Sequence, residues 1–279
     1  MSLGEFSLVL FAAAIGAGLL GALVGIGGGI LIVPLLTIAF GFDIRVAIGA
    51  SIVSVIATSS GAAAAYVRDH LTNIRIGMLL ELATTIGAVS GAVVAAWVNA
   101  QVLFLLFGVI LIVSIVPMLQ KLGKDEGAHN ESDSLAEFFH LPSTYPGVDG
   151  TQVAYGVKHV PAGFVMMYVA GLVSGLLGIG SGTLKVLAMD TAMGLPIKVS
   201  SATSNFMIGV TAAASAGIYF WRGDVEPVVA GPVALGVLLG ATVGARFLVS
   251  AGSDTIRLLF VAVLAAVSVE MLLRGAGVA

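Results

Sequence analysis

Charged residues are absent from six long stretches of this chain, each rich in Ala, Gly, Val, Leu and Ile. These stretches cover 6–42, 46–67, 82–120, 160–184, 199–221 and 227–245. A membrane-spanning helix needs about 20 apolar residues, so the stretches 6–42 and 82–120 are each too long for a single span. The second divides at 99–101, and the first is interrupted by glycines at 25–29. The pattern predicts an all-α polytopic membrane protein.

The second half of the chain repeats the first at an offset of 153 positions. Between positions 18 and 111 no gap is needed, and 26 of the 94 positions are identical to their counterparts. The glycine string at 25–29 falls on the string at 178–182. Internal repeats on this scale are typical of secondary transporters. We therefore predict a membrane repeat over 1–119, a polar connector over 120–160 and a second membrane repeat over 161–279.

Each repeat is predicted to contain one helix broken at its glycine string, followed by three transmembrane helices. The broken helices are expected over 6–24 and 30–40 in the first repeat, and over 161–177 and 183–193 in the second. The continuous helices are expected over 45–67, 76–98, 102–119, 198–221, 227–249 and 255–273. The connector, rich in Ser, Pro, Gly and charge, is expected to be a solvated loop.

The amino-acid composition excludes several classes of function. Hydrophobic residues make up 58% of the chain and charged residues 10%, which is too little charge for a water-facing surface. This excludes a soluble enzyme, a nucleic-acid binder and a disordered chain. The absence of Cys excludes disulfides and thiolate chemistry, and no His lies in a predicted helix, so we expect no enzyme, metal site or cofactor. The acidic start of the chain predicts no signal peptide.

The two glycine strings are the strongest candidates for a binding site. Glycine disfavours helix by about 1 kcal/mol relative to Ala, so each helix should open there. An opened helix in a membrane faces protein or a wet cavity, and its exposed amides attract anions. The predicted substrate-binding residues of the strings are Gly25, Ile26, Gly27, Gly28, Gly29, Gly178, Gly180, Ser181 and Gly182. Close helix packing is the alternative for these strings, and it is the preferred interpretation of Gly87, Gly91, Gly236, Gly240 and Gly244.

Three charged residues lie inside apolar segments, where a charge costs about 2.5–3.5 kcal/mol on insertion scales. Lys185 and Arg246 are predicted to bind an anion, and Glu81 is predicted to carry a coupling proton. Their counterparts in the other repeat are Ile32, Val93 and Ala234, so the scaffold does not require the charges.

Structural roles are the alternatives for these three charges. They are pairing of Lys185 with Asp190 and of Glu81 with Arg75, and snorkelling or a structural ion pair for Arg246.

Polar uncharged residues in the helix that follows each string could also contact a substrate. Ser51, Thr58, Ser204, Asn205 and Thr211 carry hydroxyl or amide donors. Hydrogen bonding between helices is the commoner use of such residues in membranes. Arg45 and Lys198 match across the repeat at helix starts and are predicted to be interface anchors.

The first glycine string and the residues after it, GIGGGILIVPLL from position 25, resemble the sulfite exporter TauE/SafE permease family. The second string GIGSG and the later SATSN, from position 201, resemble the second copy in that family. The resemblance implies a multi-pass transporter of the prokaryotic inner membrane that moves sulfite, sulfoacetate or another organosulfonate. We expect alternating access coupled to a proton gradient, with an anion channel and a non-transporting scaffold as alternatives. The expected partners are a small anion and the lipid bilayer, with no nucleic acid; self-association is left open.

Two topologies remain possible on sequence grounds. If each broken segment crosses once, the halves are parallel; if each folds back as a hairpin, the halves are inverted. The positive-inside rule divides the basic residues seven to three in both cases, and both place 68–75 and 120–160 in the cytoplasm. We favour inversion, because it brings the two glycine strings together from opposite faces.

Overall fold

The computed structural model describes residues 3–24, 29–68, 70–120, 131–146, 151–248 and 253–278. The first half forms α1 (Leu3–Val24), α2 (Gly29–Pro34), α3 (Ile44–Arg68), α4 (Ile74–Ala95) and α5 (Ala100–Gln120). The second half forms α7 (Val160–Leu177), α8 (Gly182–Leu187), α9 (Ile197–Arg222), α10 (Pro227–Leu248) and α11 (Ser253–Gly275). Between them lie α6 (Ser134–Phe138), β1 (Ser143–Pro146) and β2 (Gln152–Tyr155). When the π-helical turns Leu35–Ala39 and Ala188–Ala192 are counted with α2 and α8, the predicted helix bounds agree with the structure to within three residues.

Each broken helix returns to the end of the molecule at which it began. The short helices α2 and α8 continue into π-helical turns, at Leu35–Ala39 and Ala188–Ala192. Beyond the second turn, the Met193 carbonyl accepts a hydrogen bond from the Lys158 amide, just before α7 (3.0 Å). Beyond the first, the Phe40 ring lies edge-on to the Phe6 ring near the start of α1. The described parts of each segment therefore begin and end at the same end of the molecule.

The π-helical turns do not depend on proline. Pro34 precedes the first turn, where its missing N–H leaves one helical hydrogen bond unmade. Leu187 occupies the matching position in the second half, and the π-helical turn forms there as well. The geometry of the returning segment is therefore compatible with either residue.

The main helix pairs join one half to the other. The most extensive pairs are α1 with α10, α4 with α7, α3 with α9, and α5 with α11. Glycines allow the helices of the first two pairs to approach closely. A Cβ on Gly236 or Gly240 would overlap the backbone of α1, and one on Gly87 or Gly91 would overlap the backbone of α7. These four glycines therefore have the close-packing role predicted for them. The same prediction for Gly244 falls on residues whose surroundings are not described.

Matching helices of the two halves run antiparallel. Gly49, early in α3, contacts Asp224 just after α9, and Ser59, later in α3, contacts Gly209. Gly108 of α5 contacts Leu272, near the end of α11. Antiparallel counterparts are what inverted halves require.

Large apolar side chains cover much of the outer surface. Along α4, Met78 and Leu82 are 65% and 61% exposed, and Leu235 of α10, the counterpart of Leu82, is 60% exposed. Such a surface suits lipid and not water. Among the described residues, Ile74–Ala95 and Val160–Leu177 are long and apolar enough to cross a bilayer. Trp97 and Trp221 are strongly exposed near the ends of α4 and α9, where tryptophans of membrane proteins meet the lipid headgroups.

The connector is more ordered than a solvated loop. In its described part, β1 and β2 pair as an antiparallel hairpin, which departs from the all-α prediction. Asn73, the N-cap of α4, donates to the Leu141 carbonyl (2.9 Å) and to the Tyr155 hydroxyl (2.8 Å). Burial raises the pKa of Tyr155, so this phenol stays neutral at physiological pH. The solvated-loop prediction was wrong because apolar residues of the connector, such as Leu141 and Val157, are buried against the helices.

Candidate functional site

The two breaks meet at one serine side chain. The Ser51 hydroxyl of α3 lies 3.0 Å from the carbonyl oxygen of Gly29, at the start of α2. The same hydroxyl lies 2.8 Å from the carbonyl oxygen of Gly178, directly after α7. A serine hydroxyl has a single proton to donate, so the two carbonyls share it. Ser51 is fully buried, which places the junction of the breaks inside the protein.

The second break has a strained backbone. Gly178 and Gly180 adopt φ values of +65° and +72°, a region that residues with side chains rarely occupy. Ser181 nevertheless adopts φ +44°. Its side chain is 1% exposed, and its hydroxyl has no hydrogen-bond partner in the part of the chain that the structure describes. A strained residue with an unused buried donor is the kind of feature found at ligand sites.

The second half repeats the serine contact. Ser204 of α9 donates to the carbonyl of Gly182, at the start of α8 (3.2 Å), as Ser51 does to that of Gly29. Ser51 and Ser204 therefore bond to the breaks themselves, which is the structural alternative to a direct substrate contact. Asn205 is not used in this way, because its amide donates to the Ser201 carbonyl of its own helix.

Two apolar side chains close the space around the breaks. Val55 of α3 packs against both Gly29 and Gly180, and its counterpart Ile208 of α9 packs against Gly180. Both side chains are buried. Neither residue was predicted from the sequence, and their matching positions in the repeat are the signal that could have found them. Among the described residues, these side chains therefore fill the space beside Gly29 and Gly180.

A chain of polar contacts lies close to the second break. The fully buried Lys185 of α8 donates from Nζ to the Thr211 hydroxyl of α9 (2.6 Å). The Thr211 hydroxyl lies 2.7 Å from Oε1 of Glu81 on α4, and the Thr85 hydroxyl donates to the same carboxylate oxygen (3.1 Å). Oε2 of Glu81 is buried and has no hydrogen-bond partner among the described residues. The structure thus brings together Lys185 and Glu81, which were predicted separately.

The structural alternatives suggested for these two charges are not the arrangement observed. Arg75 donates from Nη1 to the His140 carbonyl of the connector rather than to Glu81 (2.9 Å). Lys185 bonds to Thr211, and the charge that acts on it is that of Glu81. The alternative pairings of Glu81 with Arg75 and of Lys185 with Asp190 are therefore not observed, because α4, α8 and α9 converge so that Glu81 and Lys185 both contact Thr211.

Three arginines, Arg45, Arg222 and Arg274, form contacts near the ends of helices. Arg45 donates to the Val98 carbonyl after α4 (2.8 Å), and Arg274 donates to the Thr37 carbonyl of the first returning segment (3.1 Å). Arg222 pairs with Asp224 (2.9 Å) in the loop between α9 and α10. Burial raises the pKa of Asp224, and the positive charges of Arg222 and Arg45 oppose that rise. These contacts are structural and lie away from the breaks.

Some predicted site residues cannot be placed. Gly25, Ile26, Gly27 and Gly28 lie outside the described residues, and so does the side chain of Arg246. No cluster of three or more metal-ligating side chains occurs in the residues that could be searched.

A family model for the sulfite exporter TauE/SafE matches residues 10–271. The chain belongs to this family. Curated relatives agree with that membership: the probable membrane transporter protein YunE of Bacillus subtilis is 27% identical over 266 residues, which covers 93% of this chain and 94% of the relative. The probable membrane transporter protein YdhB of the same organism is 28% identical over 233 residues, covering 82% and 85%.

A third relative extends the range of organisms. The probable membrane transporter protein ORF9 of Sinorhizobium sp is 26% identical over 267 residues, covering 94% of this chain and 91% of the relative. No solved structure matches the chain. The resemblance inferred from the glycine strings is thus confirmed, and the protein is a TauE/SafE-type multi-pass membrane transporter.

Proposed function

We propose that this protein is a secondary transporter that moves sulfite, sulfoacetate or another small organosulfonate by alternating access, coupled to protons through Glu81. The observation that carries the proposal is the junction of the two breaks at Ser51, with the unpartnered Ser181 hydroxyl and the buried Lys185 beside it. Breaks at matching places in two halves are where secondary transporters bind their substrates.

The chemistry around the second break suits a sulfonate. A sulfonate spreads one negative charge over three acceptor oxygens and therefore needs a cation and several donors. Lys185 supplies the ammonium, and Ser181 supplies a hydroxyl that has no other use in the described structure. Gly25 to Gly28 and Arg246 stay in the proposed site on sequence grounds.

The closed packing around the breaks supports alternating access. In the part of the chain that the structure describes, Val55 and Ile208 pack against Gly180, Val55 also packs against Gly29, and Ser181 is 1% exposed. In a carrier such a state lies between the two open states, whereas an open channel needs a continuous path. We infer that the helices bearing these side chains, α3 and α9, separate on one side at a time.

The orientation in the membrane follows from charge. Arg68, Arg75, Lys158 and Lys198 belong to the end that carries the connector, while Arg45, Arg222 and Arg274 belong to the other. Lys121, Lys124 and Arg257 join the first group by chain position. The positive-inside rule therefore places the connector and 68–75 in the cytoplasm in the proposed topology.

Counterflow in proteoliposomes tests the proposal. Vesicles loaded with unlabelled sulfite, sulfoacetate or ethanesulfonate should take up the same labelled anion faster than unloaded vesicles, with saturation at high concentration. A linear flux that is insensitive to the internal anion would show a channel. No flux of any sulfur anion through correctly folded protein would leave a scaffold and overturn the proposal.

A further inference from the structure

Lys185, Thr211 and Glu81 form a buried chain that contains one basic and one acidic side chain, so its net charge is zero when both are ionised. A buried ammonium is stable only with an anionic partner nearby. Here that partner is Glu81, one hydroxyl away through Thr211. Glu81 has a second carboxylate oxygen without a hydrogen-bond partner in the described structure.

Other charged groups near this chain are few. Of the helices packed against α4, α7 has Tyr168 as its titratable residue, and α9 has Lys198 near its start and Tyr219 and Arg222 near its end. The Tyr219 hydroxyl donates to the Gly175 carbonyl, and Arg222 pairs with Asp224. On the segment that contains Lys185, Asp190 lies on the π-helical turn, and α5, which contacts α8, has no charged residue. Glu81 and Lys185 act electrostatically on each other.

The first half has no equivalent chain. Thr58 is the counterpart of Thr211, and each hydroxyl bonds to the carbonyl four residues earlier in its own helix, that of Ser54 for Thr58 (3.0 Å) and that of Met207 for Thr211 (2.9 Å). The positions that match Lys185 and Glu81 hold Ile32 and Ala234. The molecule therefore carries one such charge pair, on one side of the junction of the breaks.

We infer that a transported anion and the Glu81 carboxylate compete for Lys185, so that each anion bound is accompanied by one proton on Glu81. This rests on the proposed function. With no anion, ionised Glu81 neutralises Lys185 through Thr211. When a monovalent sulfonate approaches the ammonium, Glu81 takes up one proton from solution and becomes neutral, and the site keeps zero net charge. The carrier is then an electroneutral one-to-one proton–anion symporter for monovalent sulfonates.

The same balance predicts a different result for dianions. One lysine and one neutralised glutamate compensate a single negative charge. Sulfoacetate carries a carboxylate in addition to its sulfonate, so its movement with one proton transfers one net negative charge. Its flux should therefore respond to membrane potential, while the flux of ethanesulfonate should not.

Simultaneous measurement of proton and anion flux in proteoliposomes tests the inference. The full-length protein should move one proton per ethanesulfonate, and a gradient of one pH unit should support about tenfold accumulation of the anion. In Glu81→Gln, counterflow should persist while accumulation falls to about onefold. Thr211→Val should also lower the proton-to-anion ratio, because the bridging hydroxyl is lost, whereas the matched Thr58→Val should keep a ratio of one.

The possible results distinguish a failure of proton coupling from a failure of the proposed transport function. Counterflow without proton movement in the unmodified protein would overturn the inference and leave the transporter standing. A ratio of one in Glu81→Gln would do the same. Failure of counterflow in the unmodified, monodisperse protein would overturn the proposed function itself. Comparison of thermal unfolding and elution profiles shows whether each variant is folded.

Discussion

At the scale of single residues, Ser181 combines two unfavourable features. Its backbone lies in the left-handed region, which costs of the order of 1–3 kcal/mol for a residue with a side chain. Its buried hydroxyl also lacks a partner among the described residues. The matching position in the first half is Gly28, which could adopt this backbone without strain. A function for the hydroxyl would explain why serine occupies the strained position.

Replacing Ser181 should therefore separate stability from activity. Ser181→Gly should raise the apparent Tm by a few degrees, because it removes both the strain and the unsatisfied hydroxyl. Ser181→Ala keeps the strained backbone and should raise Tm less. Both variants should weaken sulfonate binding by about tenfold, as measured by concentration dependence of counterflow. Full affinity in both would remove the Ser181 hydroxyl from the site.

At the scale of elements, backbone contact through glycine holds the halves together. Gly91→Ala should lower the apparent Tm by several degrees, because its Cβ would overlap the Leu172 carbonyl and force α4 and α7 apart. Gly16→Ala in α1 is the matched control, since no atom lies near its added Cβ. That control should leave Tm unchanged or raise it slightly. Equal effects of the two substitutions would contradict the packing role.

The helices could be predicted from the sequence because each physical signal was local. Charge-free stretches set the helix lengths, and glycine strings located the breaks. The fold of the connector was missed because its polar composition hides a few residues, such as Leu141 and Tyr155, that are buried in one cluster with residues of α4, α7 and α9. The link between Glu81 and Lys185 was also missed, because it depends on how α4, α8 and α9 converge.

At the scale of the whole molecule, α3 runs antiparallel to α9 and α5 to α11, and the inverted topology is a prediction that labelling can test. Because the chain has no natural cysteine, single cysteines report topology cleanly. We expect exposed sites at Thr144→Cys and Lys198→Cys to react with an impermeant maleimide only from the cytoplasmic side. Asn99→Cys and Glu226→Cys should react only from the other side. Labelling of positions 144 and 226 from the same side would instead support parallel halves.

The central claim is that sulfonate binds where the two breaks meet, and substrate protection of a cysteine at Ser181 tests it most directly. Ser181→Cys in proteoliposomes should react with an anionic methanethiosulfonate during turnover, and a saturating sulfonate should slow that reaction at least several-fold. Thr144→Cys on the connector should react at the same rate with and without sulfonate. Equal reaction rates at position 181 with and without a sulfonate that the same protein transports would contradict the claim.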